Sequence, residues 1–84
     1  MRRKARVDAN SREIVHALQR CGWDVFDLSR VGRGCPDLLV TRRGVCHLVE
    51  VKGAHGKLTP GQVEFHARFP VRIVRTIDDA AALD

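Results

Sequence analysis

The spacing of apolar residues divides the first part of the chain into a helix, a strand and a loop. Between Asp8 and Cys21 the apolar side chains recur at helical spacing, and Gly22 follows as a stop signal. Residues 23–28 are rich in aromatic and aliphatic side chains, which favours a strand. Residues 29–36 hold two glycines and a proline, and this composition predicts a loop.

The middle of the chain predicts a β-hairpin. Asp37 to Thr41 is one apolar run and Val45 to Lys52 is another, and Arg42-Arg43-Gly44 between them has the composition of a tight turn. Runs joined this closely pair as antiparallel neighbours. Both faces of the second run are largely apolar before Glu50, which predicts a strand buried on both sides.

The last part of the chain predicts a helix, a strand and a short second helix. Thr59 can cap a helix, Pro60 suits its first turn, and Gln62 is placed to reach back to the cap. Val71 to Thr76 alternates like a strand, and Asp78 could cap a short alanine-rich helix after it. The order αβββαβα indicates an α/β fold, in which helices flank a mixed β-sheet that contains the hairpin.

The length of 84 residues indicates a single domain, which we assign to residues 8–84 behind a basic leader at 1–7. A core this small gives little net stability, so a partner subunit is expected. Three cysteines at irregular spacing form a poor disulfide framework. We therefore expect a homodimer, joined through Val63, Phe65 and Phe69 or through the C-terminal helix from Ala80 to Leu83. No apolar run is long enough to span a bilayer, and we expect a cytoplasmic location with reduced thiols.

The net charge of +5 and the pI near 9.9 indicate an anionic partner, although a solvated basic surface would look the same. With only one tryptophan and three phenylalanines, a platform for base stacking is excluded, and contact with backbone phosphates fits better. Arg30 and Arg33 flank the glycine-containing loop before Asp37, where we expect DNA-backbone contacts. His55 and Lys57, in the loop after the second hairpin strand, could contact phosphate or simply be solvated. The basic residues include a cluster at the start of the chain and later pairs: Arg2, Arg3, Lys4, Arg6, Arg30, Arg33, Arg42 and Arg43.

Charged residues at one end of the predicted hairpin are the candidate chemistry. Glu50 and Lys52 share one face of the second hairpin strand, and burying them is costly unless something pairs with them. Asp37 opens the neighbouring strand. Two carboxylates and a lysine that converge there can hold one hard cation such as Mg²⁺ and leave room for a phosphate oxygen. Two non-catalytic interpretations stay open: Asp37 could be a turn residue, and Glu50 and Lys52 could form an exposed ion pair. Cysteines and histidines are not spaced for zinc, nor for a Cys–His nucleophile.

These residues resemble a known motif. Pro36-Asp37 followed by Glu50-Val51-Lys52 matches the PD-(D/E)XK motif of the restriction-endonuclease-like nucleases. Three segments resemble more narrowly the stand-alone VRR-NUC domain, which includes small phage and bacterial proteins related in fold to Holliday-junction resolvases. They are Gly34-Cys-Pro-Asp-Leu-Leu-Val40, His47-Leu-Val-Glu-Val-Lys52 and Leu58-Thr-Pro-Gly-Gln62. The resemblance covers residues 8–76 and implies a restriction-endonuclease-like αβββαβ core.

The resemblance also implies roles for single residues. Asp37 and Glu50 would ligate the metal together with the backbone carbonyl of Val51, and Lys52 would orient the attacking water and steady the phosphate charge. Glu13 matches an acidic residue of the first helix that reaches the metal, although it could be a surface residue or the partner of an Asn10 cap. Gln62 matches a polar residue near the site, although it also suits a capping box with Thr59.

The resemblance predicts a magnesium-dependent endonuclease, in which Mn²⁺ can substitute, that hydrolyses DNA. Branched, Holliday-junction-like DNA is the expected substrate. Two alternatives stay open from the sequence: a nucleic-acid-binding module that no longer cuts, and an RNase.

Overall fold

The structure is a computed structural model that describes the backbone of residues 4–84 and the side chains of residues 10–84. The predicted order of elements is confirmed, with bounds that move by a few residues. The elements are α1 (Lys4–Arg20), β1 (Asp24–Asp27), β2 (Leu38–Arg42), β3 (Val45–Val51), α2 (Pro60–Arg68), β4 (Val71–Val74) and α3 (Ile77–Ala81). The basic side chains predicted for the leader at 1–7 lie outside the described residues.

Helix α1 begins at Lys4, earlier than the predicted Asp8. The residues before Asp8 are mostly good helix formers with no glycine or proline among them, so nothing in the sequence stops the helix there. Asn10 therefore lies inside the helix, and the alternative that it caps the helix is wrong. The predicted stop is confirmed: Gly22 follows the helix with a φ of +93°, which glycine adopts without strain.

The cap of helix α3 differs from the prediction. Thr76, rather than Asp78, is the N-cap: its Oγ1 accepts a hydrogen bond from the Asp79 backbone N–H at 3.0 Å. The Asp79 carboxylate accepts in return from the Thr76 backbone N–H at 3.2 Å. A capping box needs its acidic partner three residues after the cap, and this spacing selects Thr76 with Asp79.

The four strands form one mixed sheet in the order β1-β2-β3-β4. The pairs β1–β2 and β2–β3 are antiparallel, and β3–β4 is parallel. The hairpin turn between β2 and β3 contains two residues with positive φ, Arg43 at 52° and Gly44 at 82°. The register places Leu38 opposite Val49, so the start of β2 lies beside the end of β3. The hairpin and the mixed sheet predicted from the sequence are confirmed.

Helices α1 and α3 contact each other, and the core lies between them and one face of the sheet. The core residues of the helices and of the Trp23 segment are Ile14, Ala17, Leu18, Trp23, Ala80 and Leu83, and those of the sheet are Leu38, Val40, Val49 and Val74. Ala80 and Leu83 are buried within the chain's own core, so these two residues of the predicted dimer surface from Ala80 to Leu83 are not available to a partner, whereas Ala81 and Ala82 are exposed. A chain of this size uses its C-terminal apolar residues to complete the monomer.

The opposite face of the sheet is only partly covered. Phe26, Leu39, Leu48 and Val71 lie opposite one another across the four strands, and the Phe26 side chain is 65% exposed. The prediction that β3 is buried on both sides is therefore wrong, because Leu48 is only half-buried and Cys46 is exposed. In the part of the chain that the structure describes, no helix is long and apolar enough to cross a membrane.

Candidate active site

Asp37 lies at the junction of three strands. It precedes β2, follows the buried Pro36, and its backbone carbonyl accepts a hydrogen bond from the Leu28 N–H at 2.7 Å. Its carboxylate oxygen Oδ2 accepts from the Val51 backbone N–H at 2.9 Å. The side chain is therefore tied to the end of β3, where Glu50 lies. The Pro-Asp pair is more than a turn signal in this fold.

Glu50 is a buried charged residue in β3, with a side chain only 2% exposed. Its Oε2 accepts from Gln62 Nε2 at 3.1 Å and lies 3.9 Å from Lys52 Nζ. Its Oε1 is buried and accepts no hydrogen bond from the residues whose side chains the structure describes. Burial, then the charge of the Asp37 carboxylate and a side-chain hydrogen bond with Asp37 that protonated Glu50 can form, raise the pKa of Glu50 from 4.5 to about 7, and the Lys52 ammonium opposes this rise.

Lys52 directly follows β3, and its backbone is held on two sides. Its N–H donates to the Val74 carbonyl at 3.1 Å, and its carbonyl accepts from Asn10 Nδ2 at 3.5 Å. The side chain is 16% exposed, which is low for a lysine. Asn10 was not predicted to lie near the site, although the spacing of apolar residues in the first helix indicated that it faces the protein interior. It lies four residues before the buried Ile14 and so on the apolar stripe of α1.

Gln62 completes the predicted capping box and also contacts Glu50, whereas its predicted role in positioning water or phosphate stays a prediction. Its Oε1 accepts from the Thr59 N–H at 2.9 Å, which completes the predicted capping box, and its Nε2 donates to Glu50. The first turn of α2 is therefore joined to the carboxylate of Glu50.

The loop before Asp37 packs against the same helical turn through two glycines. Gly34 has a φ of +78°, and a methyl group built on it would lie 2.3 Å from the carbonyl oxygen of Gly61. Real Cβ atoms do not approach backbone atoms this closely. The loop that carries Arg30 and Arg33 therefore touches the start of α2 directly, which requires glycine at position 34.

The structure does not bring every predicted residue into this cluster. Glu13 is exposed on α1, and within residues 10–84 no group of three or more His, Cys, Asp or Glu side chains is close enough to hold a metal ion. The predicted role of Glu13 as a ligand stays a prediction, as does that of the Val51 carbonyl. Exposed positions in the two loops hold the predicted DNA-binding residues Arg30, Arg33, His55 and Lys57.

The chemistry of the cluster fits a hard divalent cation. Asp37 and Glu50 supply carboxylate oxygens, the ligands that Mg²⁺ prefers. The buried oxygen of Glu50 that lacks a partner is costly unless something else satisfies it, and a bound cation would do so. Cys35 lies near the two carboxylates, and burial followed by the charges of Asp37 and Glu50 raises the pKa of its thiol. A thiol held protonated in this way is a poor nucleophile and a poor ligand.

Among the comparisons with known proteins, the search of solved structures found a match. The chain is similar to a solved structure described as a VRR_NUC domain, with 32% sequence identity and a TM-score of 0.71. The similarity covers 87% of this chain and 87% of that chain. Neither a scan of protein-family models nor a search of curated proteins returned a match.

Proposed function

The chain belongs to the VRR-NUC family of nuclease domains, and on that premise we propose that it is a metal-dependent endonuclease that hydrolyses DNA. The observation that carries the proposal is Glu50, a carboxylate that is buried beside Asp37 and Lys52 with one oxygen unpartnered. A protein that used this fold only to bind nucleic acid would have no need to bury a charge at that cost.

Each residue of the cluster has a separate proposed role in cleavage. Asp37, Glu50 and the carbonyl of Val51 would hold Mg²⁺ or Mn²⁺, which when bound would activate a water and neutralise charge on the phosphate. Lys52, near Glu50, orients the attacking water and stabilises the negative charge that develops on the phosphate oxygens. Gln62 holds the Glu50 carboxylate in place. Water adds to phosphorus, the bond to the leaving oxygen breaks, and a 5′-phosphate and a 3′-hydroxyl result.

Exposed basic residues on both loops that flank the site support a nucleic-acid substrate, and we propose that it is DNA. Arg30 and Arg33 belong to the loop before Asp37, and His55 and Lys57 to the loop after Lys52. Such residues contact phosphates without reading sequence, and this mode of binding suits recognition of DNA shape. We propose branched DNA, with a four-way junction as the first candidate.

The test is nicking of supercoiled plasmid and cleavage of labelled four-way junctions, flaps, splayed arms and single strands. We expect cleavage with Mg²⁺ or Mn²⁺ and none with EDTA. Folded protein that binds these DNAs but cuts none of them with either ion would instead be a binding module. Cleavage of a matched RNA alone would make the protein an RNase.

We also propose that two copies of the chain associate through the incompletely covered sheet face. This face exposes Phe26 and Leu39, and Gln62 of helix α2 contacts Glu50 at one end of it. Val63 of that helix and its C-cap Phe69 are also exposed and can extend the same surface. Phe65, predicted as part of the surface, is half-buried and stacks on Phe69 with ring centroids 4.7 Å apart. A two-fold pair of sites would suit the symmetric strands of a four-way junction.

Light scattering at micromolar concentration tests the dimer. We expect twice the 9.4 kDa of the chain, and Phe26→Glu should shift the mass to that of the monomer because it places a charge in the interface. Ile77→Glu is the matched control, since Ile77 is also exposed but lies on α3. A wild-type mass near 9.4 kDa would refute the dimer.

A further inference from the structure

The four residues after Lys52 form a tight turn that Arg75 holds. The Gly56 N–H donates to the Gly53 carbonyl at 3.2 Å, which closes the turn. Nη1 of Arg75 donates to the Gly53 carbonyl at 2.7 Å and to the Gly56 carbonyl at 2.8 Å. These are short bonds from a charged donor, and they are stronger than bonds between neutral groups.

The backbone that carries Arg75 is itself fixed. Arg75 directly follows β4, and its N–H donates to Asp79 Oδ2 at 2.8 Å, where the first turn of α3 begins. One residue earlier, the Val74 carbonyl accepts from the Lys52 N–H. The guanidinium therefore reaches the turn from the same strand pairing that holds the backbone of Lys52.

The turn lies beside the side chain of Lys52, with room for a methyl group between Gly56 and that side chain. A methyl group built on Gly56 would lie 3.4 Å from Cδ of Lys52 and 3.6 Å from its Cβ, which is ordinary van der Waals contact. A lysine side chain has several rotatable bonds and loses considerable entropy when it is confined. The turn restricts the lysine side chain on one side, and the ammonium nitrogen lies 3.9 Å from Glu50 Oε2.

One of the two Arg75 bonds is not needed to satisfy a buried group, because Gly53 is exposed and water could hydrate its carbonyl if the guanidinium were absent. The bond to the Gly56 carbonyl is partly buried. What the two bonds determine is the position of the turn relative to Lys52.

We infer that Arg75 is a positioning residue, which holds the Gly53–Gly56 turn beside Lys52 and so directs the lysine ammonium toward the Glu50 carboxylate. Its effect on turnover rests on the proposed nuclease function. Its effect on the lysine does not.

The reactivity of the lysine side chains tests whether the turn covers Lys52, and this test does not depend on nuclease activity. In metal-free protein, an amine-acylating reagent followed by mass spectrometry should modify Lys52 more slowly than the exposed Lys57. Arg75→Gln should raise the rate at Lys52 several-fold relative to Lys57, because the turn no longer covers it. Arg72→Gln is the matched control: it removes the same charge from β4, three residues before Arg75, and its partner Asp84, at 3.7 Å, is exposed. Unchanged protection of Lys52 in folded Arg75→Gln would overturn the inference.

Cleavage of a labelled four-way junction tests the consequence for turnover. At saturating DNA and Mg²⁺ we expect Arg75→Gln to lower kcat by about tenfold to a hundredfold, the cost of a misplaced catalytic group. KM and the affinity for Mg²⁺ should change little, and Arg72→Gln should keep the wild-type kcat. Guanidinium ion at millimolar concentration should partly restore Arg75→Ala, which leaves a space of the right shape, and should not stimulate the wild type.

A double-mutant cycle separates positioning from direct contact with DNA. If Arg75 acts through Lys52, then Arg75→Gln should cause no further loss of kcat in Lys52→Ala protein. An equal loss in both backgrounds would overturn the inference. Should Arg75→Gln not fold, Arg75→Lys keeps the charge but lacks the planar guanidinium and its longer reach, and the same footprint and cycle apply to it. A wild type that cuts no DNA would defeat the proposed function, and the footprint would still decide the contact.

Discussion

Asp37→Asn is expected to abolish cleavage of every DNA substrate while the protein stays folded. The variant removes one of the two carboxylates proposed to hold the cation, and the amide that replaces it is a weak ligand for Mg²⁺. The fold should survive because the Asn oxygen can still accept the hydrogen bond from the Val51 N–H, which Asp37 accepts at 2.9 Å. Cleavage assays with Mg²⁺ measure the loss of activity, and circular dichroism of the same preparation measures whether the variant is folded.

DNA binding provides the control for this variant. Affinity for a four-way junction should stay the same or rise, because the basic loops are untouched and one negative charge near the phosphate is gone. Asp24→Asn removes an equal charge from an exposed position at the start of β1 and should cut like the wild type. Near-normal cleavage by Asp37→Asn would show that the site has been assigned to the wrong residues.

The same variant has a second readout in metal-free protein. The pKa of Glu50 rises from 4.5 to about 7 on folding, so the folded chain holds a proton that the unfolded chain releases. The contribution of Glu50 to stability is therefore fully present below the unfolded pKa of 4.5 and is lost as the pH rises through about 7. Asp37→Asn removes a charge that raises this pKa, so its melting temperature should fall less over that range. An identical pH dependence in the two proteins would contradict the coupling of the two carboxylates.

Local patterns in the sequence were sufficient to predict the elements and the proximity of the residues at the centre of the candidate site. The glycine after α1, the turn between β2 and β3, and the capping box from Thr59 to Gln62 each depend on residues close together in the chain. The alternation along the third predicted strand placed Glu50 and Lys52 on one face, and the hairpin placed Asp37 beside them. Local spacing carries this information because the period of a strand and the geometry of a hairpin are fixed.

Contacts between distant segments could not be predicted in this way. The bonds from Arg75 to Gly53 and Gly56 depend on how β4 pairs with β3, and an isolated arginine after a strand gives no sign of them. The exposed sheet face is a second case. Apolar residues on both sides of β3 predicted two covered faces, but the helices available in 84 residues fully cover only one. The pattern shows which residues are apolar, whereas coverage depends on tertiary packing.

Lys52→Ala is expected to lower turnover by a factor on the order of a hundred or more, the usual cost of losing an electrostatic contact in the transition state. Both carboxylates remain, so binding of Mg²⁺ measured by calorimetry should persist. It should even tighten, because a positive charge 3.9 Å from Glu50 Oε2 has been removed. Lys52→Met is the matched variant, since it keeps most of the chain that packs under the Gly53–Gly56 turn and lacks only the charge. Equal losses of kcat in the two variants would assign the effect to the ammonium. Loss of metal binding with unchanged single-turnover cleavage would contradict the role proposed for Lys52.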